Sequence, residues 1–272
     1  MESPSHMRKS GGYAVFNPKD FRSYLAHQRG KLETEISVPE DVVFTYDSGM
    51  LRAAVAETRA TQADWYIYSG KLYLGKAGDN NVGIVHAMIG APAAAMNLEE
   101  LIAYGARRIF ELGLAGAIDT TCEPGDVVLL KGALSDEGTS KHYYKGGTRF
   151  NSSSVLTKRL EDSLRVGKVE YSTGDAWTID APYRETREKV ARYRRMGARV
   201  VNMESSAVFA VAQYRGVQVA SAQIVSDVVS ERKWEPAFHH GAIGSRRQQV
   251  LAAVLRVIGN QSGNRTGQQR VS

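Results

Sequence analysis

The feature that most constrains the fold is a buried strand that runs directly into a helix. The sequence VVNMESSA at residues 200–207 has this pattern, with the carboxylate of Glu204 at the join. A second apolar strand is predicted at residues 217–225, and it leads to Ser226 and Asp227. Ligands of open α/β sheets lie outside the carboxyl ends of the strands. The two acids therefore predict a site at that edge.

Length and apolar patterning favour one large α/β domain over two small ones. The chain has 272 residues, which suits a single domain of this class. We expect a disordered N-terminus at residues 1–12, a folded domain at 13–258 and a mobile polar tail at 259–272, because both ends are poor in apolar residues.

Composition also argues against several classes of function. No apolar run approaches the roughly 20 residues that span a bilayer, and we expect no membrane partner. The single cysteine, Cys122, cannot form an intrachain disulfide, which fits a cytoplasmic protein. The net charge of +6 comes partly from the two ends, and no basic stripe is interleaved with aromatic residues, so nucleic acid is not an expected partner. No Cys/His cluster has metal-binding spacing.

Apolar periodicity alternates between strand and helix through the centre of the chain. It predicts strands, in part as a hairpin, at residues 42–44, 65–74, 82–85, 107–112, 127–130 and 171–177, besides the two above. It predicts helices at residues 18–29, 50–58, 93–104, 154–164, 184–195 and 246–258. This order indicates a single α/β domain in three layers, with a central twisted mixed sheet between helices.

A run of small residues, Gly113 to Gly116, follows one predicted strand and is expected to form a turn. It lacks the spacing of a dinucleotide fingerprint. Small residues let a ligand approach the backbone closely, and they equally let a turn pack tightly. Taken alone, this run favours the packing role.

Each acid also has a purely structural alternative. Glu204 would be stabilised by the helix dipole at the start of a helix, or it could accept hydrogen bonds from two adjacent hydroxyls of a sugar. Asp227 could cap a turn, or serve as a general acid in a pocket that excludes water. Met203 and Trp177 could line a ligand site or pack in the core.

Four segments, in this order, resemble the nucleoside phosphorylases of the hexameric bacterial type. These are residues 113–118 (GLAGAI), 133–140 (ALSDEGTS), 201–207 (VNMESSA) and 224–227 (IVSD). The superfamily also includes uridine phosphorylases and methylthioadenosine/S-adenosylhomocysteine nucleosidases. The similarity extends over roughly residues 42–258, and the Met-Glu and Val-Ser-Asp segments are the most specific.

The resemblance implies a role for each matching residue. Met203 and Glu204 would hold the ribose, with Glu204 between the 2′ and 3′ hydroxyls. The base would be held by four residues: Ala115, Gly116, Trp177 and Ser226. Asp227 would protonate a purine at N7, and Arg232 would assist it.

The phosphate site of the family is altered in this chain. Asp47 matches the family's aspartate, but the arginine expected near it is out of register, and Arg52 is the replacement we consider. Glu111 stands where a second phosphate arginine is expected, two positions before Gly113. A carboxylate repels a dianion, and the nucleosidases use a carboxylate to activate water, a role that Glu111 or Asp47 could take.

The sequence therefore predicts an enzyme that cleaves the N-glycosidic bond of a nucleoside, with a purine as the expected base. Phosphorolysis is placed first, which makes inorganic phosphate a co-substrate and requires no other cofactor. Hydrolysis is the alternative, and a catalytically silent nucleoside-binding protein is the second. The resemblance also implies a dimer-based homo-oligomer, up to a hexamer, in which His27 is the candidate residue that reaches a neighbouring site.

Overall fold

The computed structural model describes residues 7–12, 14–66 and 69–260. Of the two predicted disordered ends, residues 1–6 and 261–272 lie outside the described residues. Residues 7–12 include a short strand, β1 (Arg8–Lys9), which pairs antiparallel with β8 (Tyr144–Lys145).

Eight α-helices lie in the described part of the chain. They are α1 (Pro18–Arg29), α2 (Ser48–Thr58), α3 (Ala91–Tyr104), α4 (Ser140–Tyr143), α5 (Ser154–Val166), α6 (Arg187–Arg195), α7 (Ser205–Arg215) and α8 (Gly241–Gly259). The prediction for α1 is confirmed, and its boundaries have clear causes. Asn17 forms a capping box with Asp20, and Gly30 ends the helix in the left-handed conformation at φ 59°.

The remaining strands form one large sheet. They are β2 (Asp41–Thr45), β3 (Thr61–Gln62), β4 (Gly70–Ala77), β5 (Asn80–Ala87), β6 (Arg108–Ala117), β7 (Val127–Asp136), β9 (Arg149–Asn151), β10 (Ser172–Ile179), β11 (Ala198–Asn202), β12 (Gln218–Val229) and β13 (Trp234–Pro236). Their order is β13-β12-β7-β10-β11-β6-β2-β5-β4-β3, with β9 on β7. An added pairing of β12 with β6 closes β6, β12, β7, β10 and β11 into a ring.

Helices cover both faces of this sheet. One core contains the apolar sides of α1, α3 and α7, and a second contains those of α2, α5 and α8. The predicted α/β class is therefore confirmed: a single domain with a central mixed sheet flanked by helices. No helix among the described residues has the length and apolar character needed to cross a membrane.

Three predicted elements differ in their boundaries. The hairpin expected at residues 65–74 instead joins β4 to β5, and its turn contains Gly78 at φ +59°, a conformation that glycine adopts readily; residues 67 and 68 lie outside the described residues. The expected turn at Gly113 to Gly116 is part of β6. The third, β12, continues past residue 225 through a register shift between Val225 and Asp227.

Candidate active site

Gly116 is the point at which the two predicted acidic segments meet. The end of β6 lies between β11 and β12, so that Gly116 is opposite Val201 on one side and Asp227 on the other. A Cβ atom on Gly116 would lie 2.9 Å from Val229 Cγ2, 3.1 Å from Asp227 Oδ2 and 3.2 Å from Val201 Cγ1. No larger residue fits without displacing these groups.

Asp227 lies inside β12, just after the register shift, and only 8% of it is exposed. The Ser226 hydroxyl donates to Asp227 Oδ1 at 2.6 Å. The indole N–H of Trp234 donates to Asp227 Oδ2 at 2.8 Å. Both oxygens of this carboxylate therefore have a donor, and Oδ2 is the one beside Gly116.

The resemblance implied that Arg232 assists Asp227, but no hydrogen bond joins these two described side chains. It is exposed in the turn before β13, and its backbone N–H donates to Ser230 Oγ at 3.2 Å. Its guanidinium has no hydrogen bond or ion pair with any described residue. The strand pairing of β13 with β12 instead brings Trp234 to the carboxylate.

Glu185 is a second acid near Asp227, and the sequence pattern did not indicate a role for it at the site. It follows a 3₁₀ turn at Pro182–Arg184, and Thr186 then caps α6. Burial and the charge of Asp227 raise the pKa of Glu185 to about 7. Within the described ranges its carboxylate has no hydrogen-bond partner. The sequence pattern predicted that α6 begins at residue 184, which would put Glu185 on its solvated face. Thr186 is a typical N-cap residue, and it was the signal for a later start of the helix.

Glu204 lies at the start of α7 and is 6% exposed. Its Oε1 accepts from the backbone N–H of Gly90, the residue before α3, at 2.9 Å, and its Oε2 accepts from Met203 N–H at 3.0 Å. Burial, offset by the Gly90 hydrogen bond and reinforced by the negative charge of Glu111, raises the pKa of Glu204 to about 7. Met203 itself is partly exposed.

Glu111 is fully buried on β6. Ser205 Oγ donates to its Oε2 at 2.8 Å, and the Tyr46 hydroxyl donates to Oε1 at 3.3 Å. Burial raises the pKa of Glu111, and burial with the charges of Glu111 and Glu204 raises the pKa of Tyr46. Among the described residues no Lys or Arg forms an ion pair with either glutamate. This part of the site therefore carries acidic groups without a cation.

The other candidates for a phosphate or water site are dispersed. Asp47 caps α2 by accepting from the N–H groups of Gly49 and Met50, at 3.0 and 3.1 Å, and it forms an ion pair with Arg247 of α8. Arg52 is exposed on α2. A Cβ atom on Gly113 would lie 2.7 Å from Gln223 Oε1, which indicates a packing role for this glycine.

Trp177 is a core residue and not an exposed ring that could stack on a base. Its exposure is 0%, and its ring stacks on Tyr193 at a centroid distance of 4.6 Å. Its indole N–H donates to Asp136 Oδ2 at 3.2 Å. Ala115, in contrast, is next to Gly116 on β6, and its carbonyl is 3.4 Å from Ser226 Oγ. His27 is exposed near the end of α1.

The side chains brought together here are acids and hydroxyls. The described residues contain no group of three or more His, Cys, Asp or Glu side chains that could hold a metal ion. The converging groups are a carboxyl beside Gly116, a second carboxyl at the start of α7, and hydroxyls around them. Such a set can transfer protons and bind hydroxyl groups.

Curated relatives are similar over part of their length. A guanosine phosphorylase of Halorubrum lacusprofundi is 31% identical over 137 residues, which is 49% of this chain and 55% of that protein. A DeoD-type purine nucleoside phosphorylase of Bacillus cereus is 27% identical over 51% of this chain and 60% of that protein. The chain thus spans a little over half the length of these relatives.

Solved structures show the same fold over more of the chain. A uridine phosphorylase of Vibrio fischeri has a TM-score of 0.73 at 23% identity, covering 82% of this chain and 93% of that one. A purine nucleoside phosphorylase of Toxoplasma gondii has a TM-score of 0.77 at 18% identity, covering 92% and 97%. The model of the phosphorylase superfamily matches residues 25–258. With most of its length matched, this chain belongs to the phosphorylase superfamily.

Proposed function

We propose that the chain cleaves the N-glycosidic bond of a purine nucleoside, with Asp227 as the acid for the base and Glu204 as the group that holds the ribose. The observation that supports this most directly is the convergence at Gly116. Asp227 reaches it from β12, and the strand that leads to Glu204 reaches it from β11. The strands that carry or lead to the two acids therefore meet at one point of close backbone approach.

In this proposal the proton on Asp227 passes to N7 of the base. The electron pair of the C1′–N9 bond then leaves with the base, and positive charge develops on the sugar. Glu204 accepts hydrogen bonds from the 2′ and 3′ hydroxyls, which holds the ring while the acceptor attacks C1′. The proton that the acceptor releases restores the acid.

The surroundings of Asp227 suit a purine with N–H groups. The charge of Asp227 contributes to the raised pKa of Glu185, so the two acids lie near each other, and a carboxylate can accept hydrogen bonds from N–H donors of a base. Guanine presents N1–H and the 2-amino group as such donors, and hypoxanthine presents N1–H. The guanosine and purine phosphorylases among the relatives are consistent with this choice.

We propose water as the acceptor. Glu111 and Glu204 are both buried and lie close enough that the charge of one raises the pKa of the other. A phosphate dianion beside them would be repelled. Neither of the two arginines considered for phosphate is paired with these glutamates: Arg247 is paired with Asp47, and Arg52 is exposed.

Phosphorolysis is the second candidate, because the curated relatives named above are phosphorylases. The two reactions differ in their product. Hydrolysis releases ribose, and phosphorolysis releases ribose 1-phosphate.

The test is to incubate the protein with guanosine, inosine, adenosine and uridine in phosphate-free buffer and again with added phosphate. Base release is followed by chromatography, and the sugar product is identified. Release of a purine base without phosphate supports the proposal. Strict dependence on phosphate replaces hydrolysis with phosphorolysis, and binding without release in either buffer supports the silent nucleoside-binding protein.

We also propose that the chain assembles as a homo-oligomer whose interface adjoins the site. Met88 and Ile89 are 46% and 66% exposed, and they immediately precede Gly90, which holds Glu204. Light scattering after size-exclusion chromatography gives the oligomer number. His27→Ala should lower turnover if His27 reaches a neighbouring site.

A further inference from the structure

Trp234 is an exposed aromatic residue with a buried partner. It is 59% exposed on the edge strand β13, and its ring packs near that of Phe238, which is 45% exposed. Its indole N–H nevertheless donates to Asp227 Oδ2 at 2.8 Å. The large apolar ring is left half in solvent, while its one polar atom contacts a buried carboxylate. Core packing does not explain this arrangement.

The two hydrogen-bond partners of Asp227 differ in what they can do. An indole N–H can only donate, and a bond to an ionised acceptor is roughly twice as strong as one to a neutral acceptor. Ser226 is different, because its hydroxyl is 2.6 Å from Asp227 Oδ1 and 3.4 Å from the Ala115 carbonyl. Ser226 can therefore rotate and accept a hydrogen bond from the protonated carboxyl of Asp227, whereas Trp234 can only donate to it.

The segment that carries Trp234 is attached at two places. Its strand pairs with β12 from Asp227 to Val229, and Glu231 in the turn forms an ion pair with Arg194 of α6. Charged groups on the segments that pack near Asp227 come from two places. Glu185 precedes α6. On the hairpin, Glu231 pairs with Arg194 of α6, and Lys233 pairs with Glu235.

We propose that Trp234 is the positioning residue for Asp227: its indole N–H fixes Oδ2 beside Gly116, where this carboxyl meets the base. The inference rests on the proposed function and deepens it, since the base must approach the same oxygen that the indole holds. Trp234 thus takes the assisting role that the resemblance implied for Arg232.

Kinetics of Trp234→Phe test this role. The phenylalanine keeps an aromatic ring and removes the N–H. We expect kcat for the purine nucleoside to fall roughly ten- to hundredfold, the range for one hydrogen bond to a charged group. Because the indole N–H contacts Asp227 and not the residues proposed to hold the ribose, KM for the nucleoside should stay within about twofold of the wild-type value.

Phe238→Leu is the matched control, because it changes the other exposed ring and leaves the N–H in place. Its kcat and KM should both coincide with those of the wild type. If kcat of Trp234→Phe also coincides with that of the wild type while the wild type cleaves purine nucleosides, the positioning role is wrong and the proposed function stands.

A measurement that does not depend on turnover separates failure of the positioning role from failure of the proposed function. Trp65 and Trp177 are 6% and 0% exposed, so Trp234 is the one half-exposed tryptophan of the three in the sequence. The tryptophan emission should change between the wild type and Asp227→Asn, and this change should be absent when both proteins also carry Trp234→Phe. If the wild type releases no base but its emission changes in Asp227→Asn, the proposed function fails and the Trp234–Asp227 coupling holds. Unchanged emission in Asp227→Asn, or the same change in the Trp234→Phe background, overturns the coupling.

Discussion

The Oδ2 atom of Asp227 lies 3.1 Å from the position that a Cβ atom on Gly116 would occupy. Gly116 is in a regular strand and not in a turn, so a backbone conformation that favours glycine is not the reason for its presence. The reason is proximity: the strand must pass beside a carboxylate and two valine side chains. The same space is where a substrate would meet Asp227.

Gly116→Ala should therefore impair turnover more than folding. The added methyl group would be 2.9 Å from Val229 Cγ2 as well as 3.1 Å from Asp227 Oδ2, and overpacking of this kind costs about 1–3 kcal/mol. A shifted carboxyl should lower kcat/KM about 100-fold. Gly138→Ala is the control, because its nearest neighbour is Asp180 Oδ2 at 3.7 Å. Equal activity of the two variants would contradict the placement of the site.

Asp227→Asn should lower turnover of purine nucleosides by about 10²–10⁴, the usual contribution of a general acid. The amide keeps the shape of the side chain and cannot supply the proton. Asp227→Ala should have an equally severe effect and leave the fold intact. Steady-state kinetics with circular dichroism on the same samples makes the comparison. Unchanged turnover in either variant would exclude Asp227 as the acid.

Much of the architecture could be predicted because it depends on local signals. The boundaries of α1 follow from Asn17, Pro18 and Gly30, which are visible in the sequence. The positions of Glu204 and Asp227 after apolar runs were also visible, although β12 continues past Asp227 to Val229. Their convergence on Gly116 was not, because it depends on the pairing of β6 with both β11 and β12.

Where the structure differs from the expected surroundings of a side chain, the physical cause is the same: distant segments set those surroundings. Trp177 adjoins polar residues in sequence, yet α6 supplies Tyr193 to cover its ring. The resemblance implied Arg232, but the pairing of β13 with β12 brings Trp234 to the carboxylate instead. Glu185 becomes part of the site only because its segment lies beside the end of β12.

Trp177→Phe should reduce stability and leave substrate binding unchanged. The smaller ring can still stack on Tyr193, but it loses packing volume and the hydrogen bond to Asp136. We expect a loss of about 1–3 kcal/mol in the free energy of unfolding, measured by urea denaturation. KM for the nucleoside should stay within about twofold. A large rise in KM with unchanged stability would restore the stacking role.

Glu204 should make both binding and stability depend on pH near neutrality. Its pKa of about 7 in the folded chain is above the ordinary value of 4.5, so the folded state retains this proton more tightly. The contribution, about 3 kcal/mol, is complete below pH 4.5 and is lost as the pH rises through 7. Ribose binding needs the ionised form, so KM should fall between pH 6 and 8. Glu204→Gln should remove both dependences; if they persist in it, another group is responsible.

Glu111→Gln tests the origin of the Glu204 shift and the acceptor together. The negative charge of Glu111 raises the pKa of Glu204, so its removal should move the midpoint of the KM profile to lower pH. If Glu111 also activates water, kcat in phosphate-free buffer should fall about 100-fold or more. The amide repels phosphate less, and any remaining base release should become more sensitive to added phosphate.

Ser205→Ala is the control for Glu111→Gln, because it removes the 2.8 Å hydrogen bond to Glu111 and keeps the charge. It raises the pKa of Glu111 further, since that hydrogen bond lowers it. The KM midpoint should then stay near the wild-type value or move slightly down, by less than in Glu111→Gln. If the two variants move the midpoint equally, the hydrogen-bonded geometry and not the charge of Glu111 controls Glu204. If neither moves it, burial alone raises the pKa of Glu204, and the proposed repulsion of phosphate loses its support.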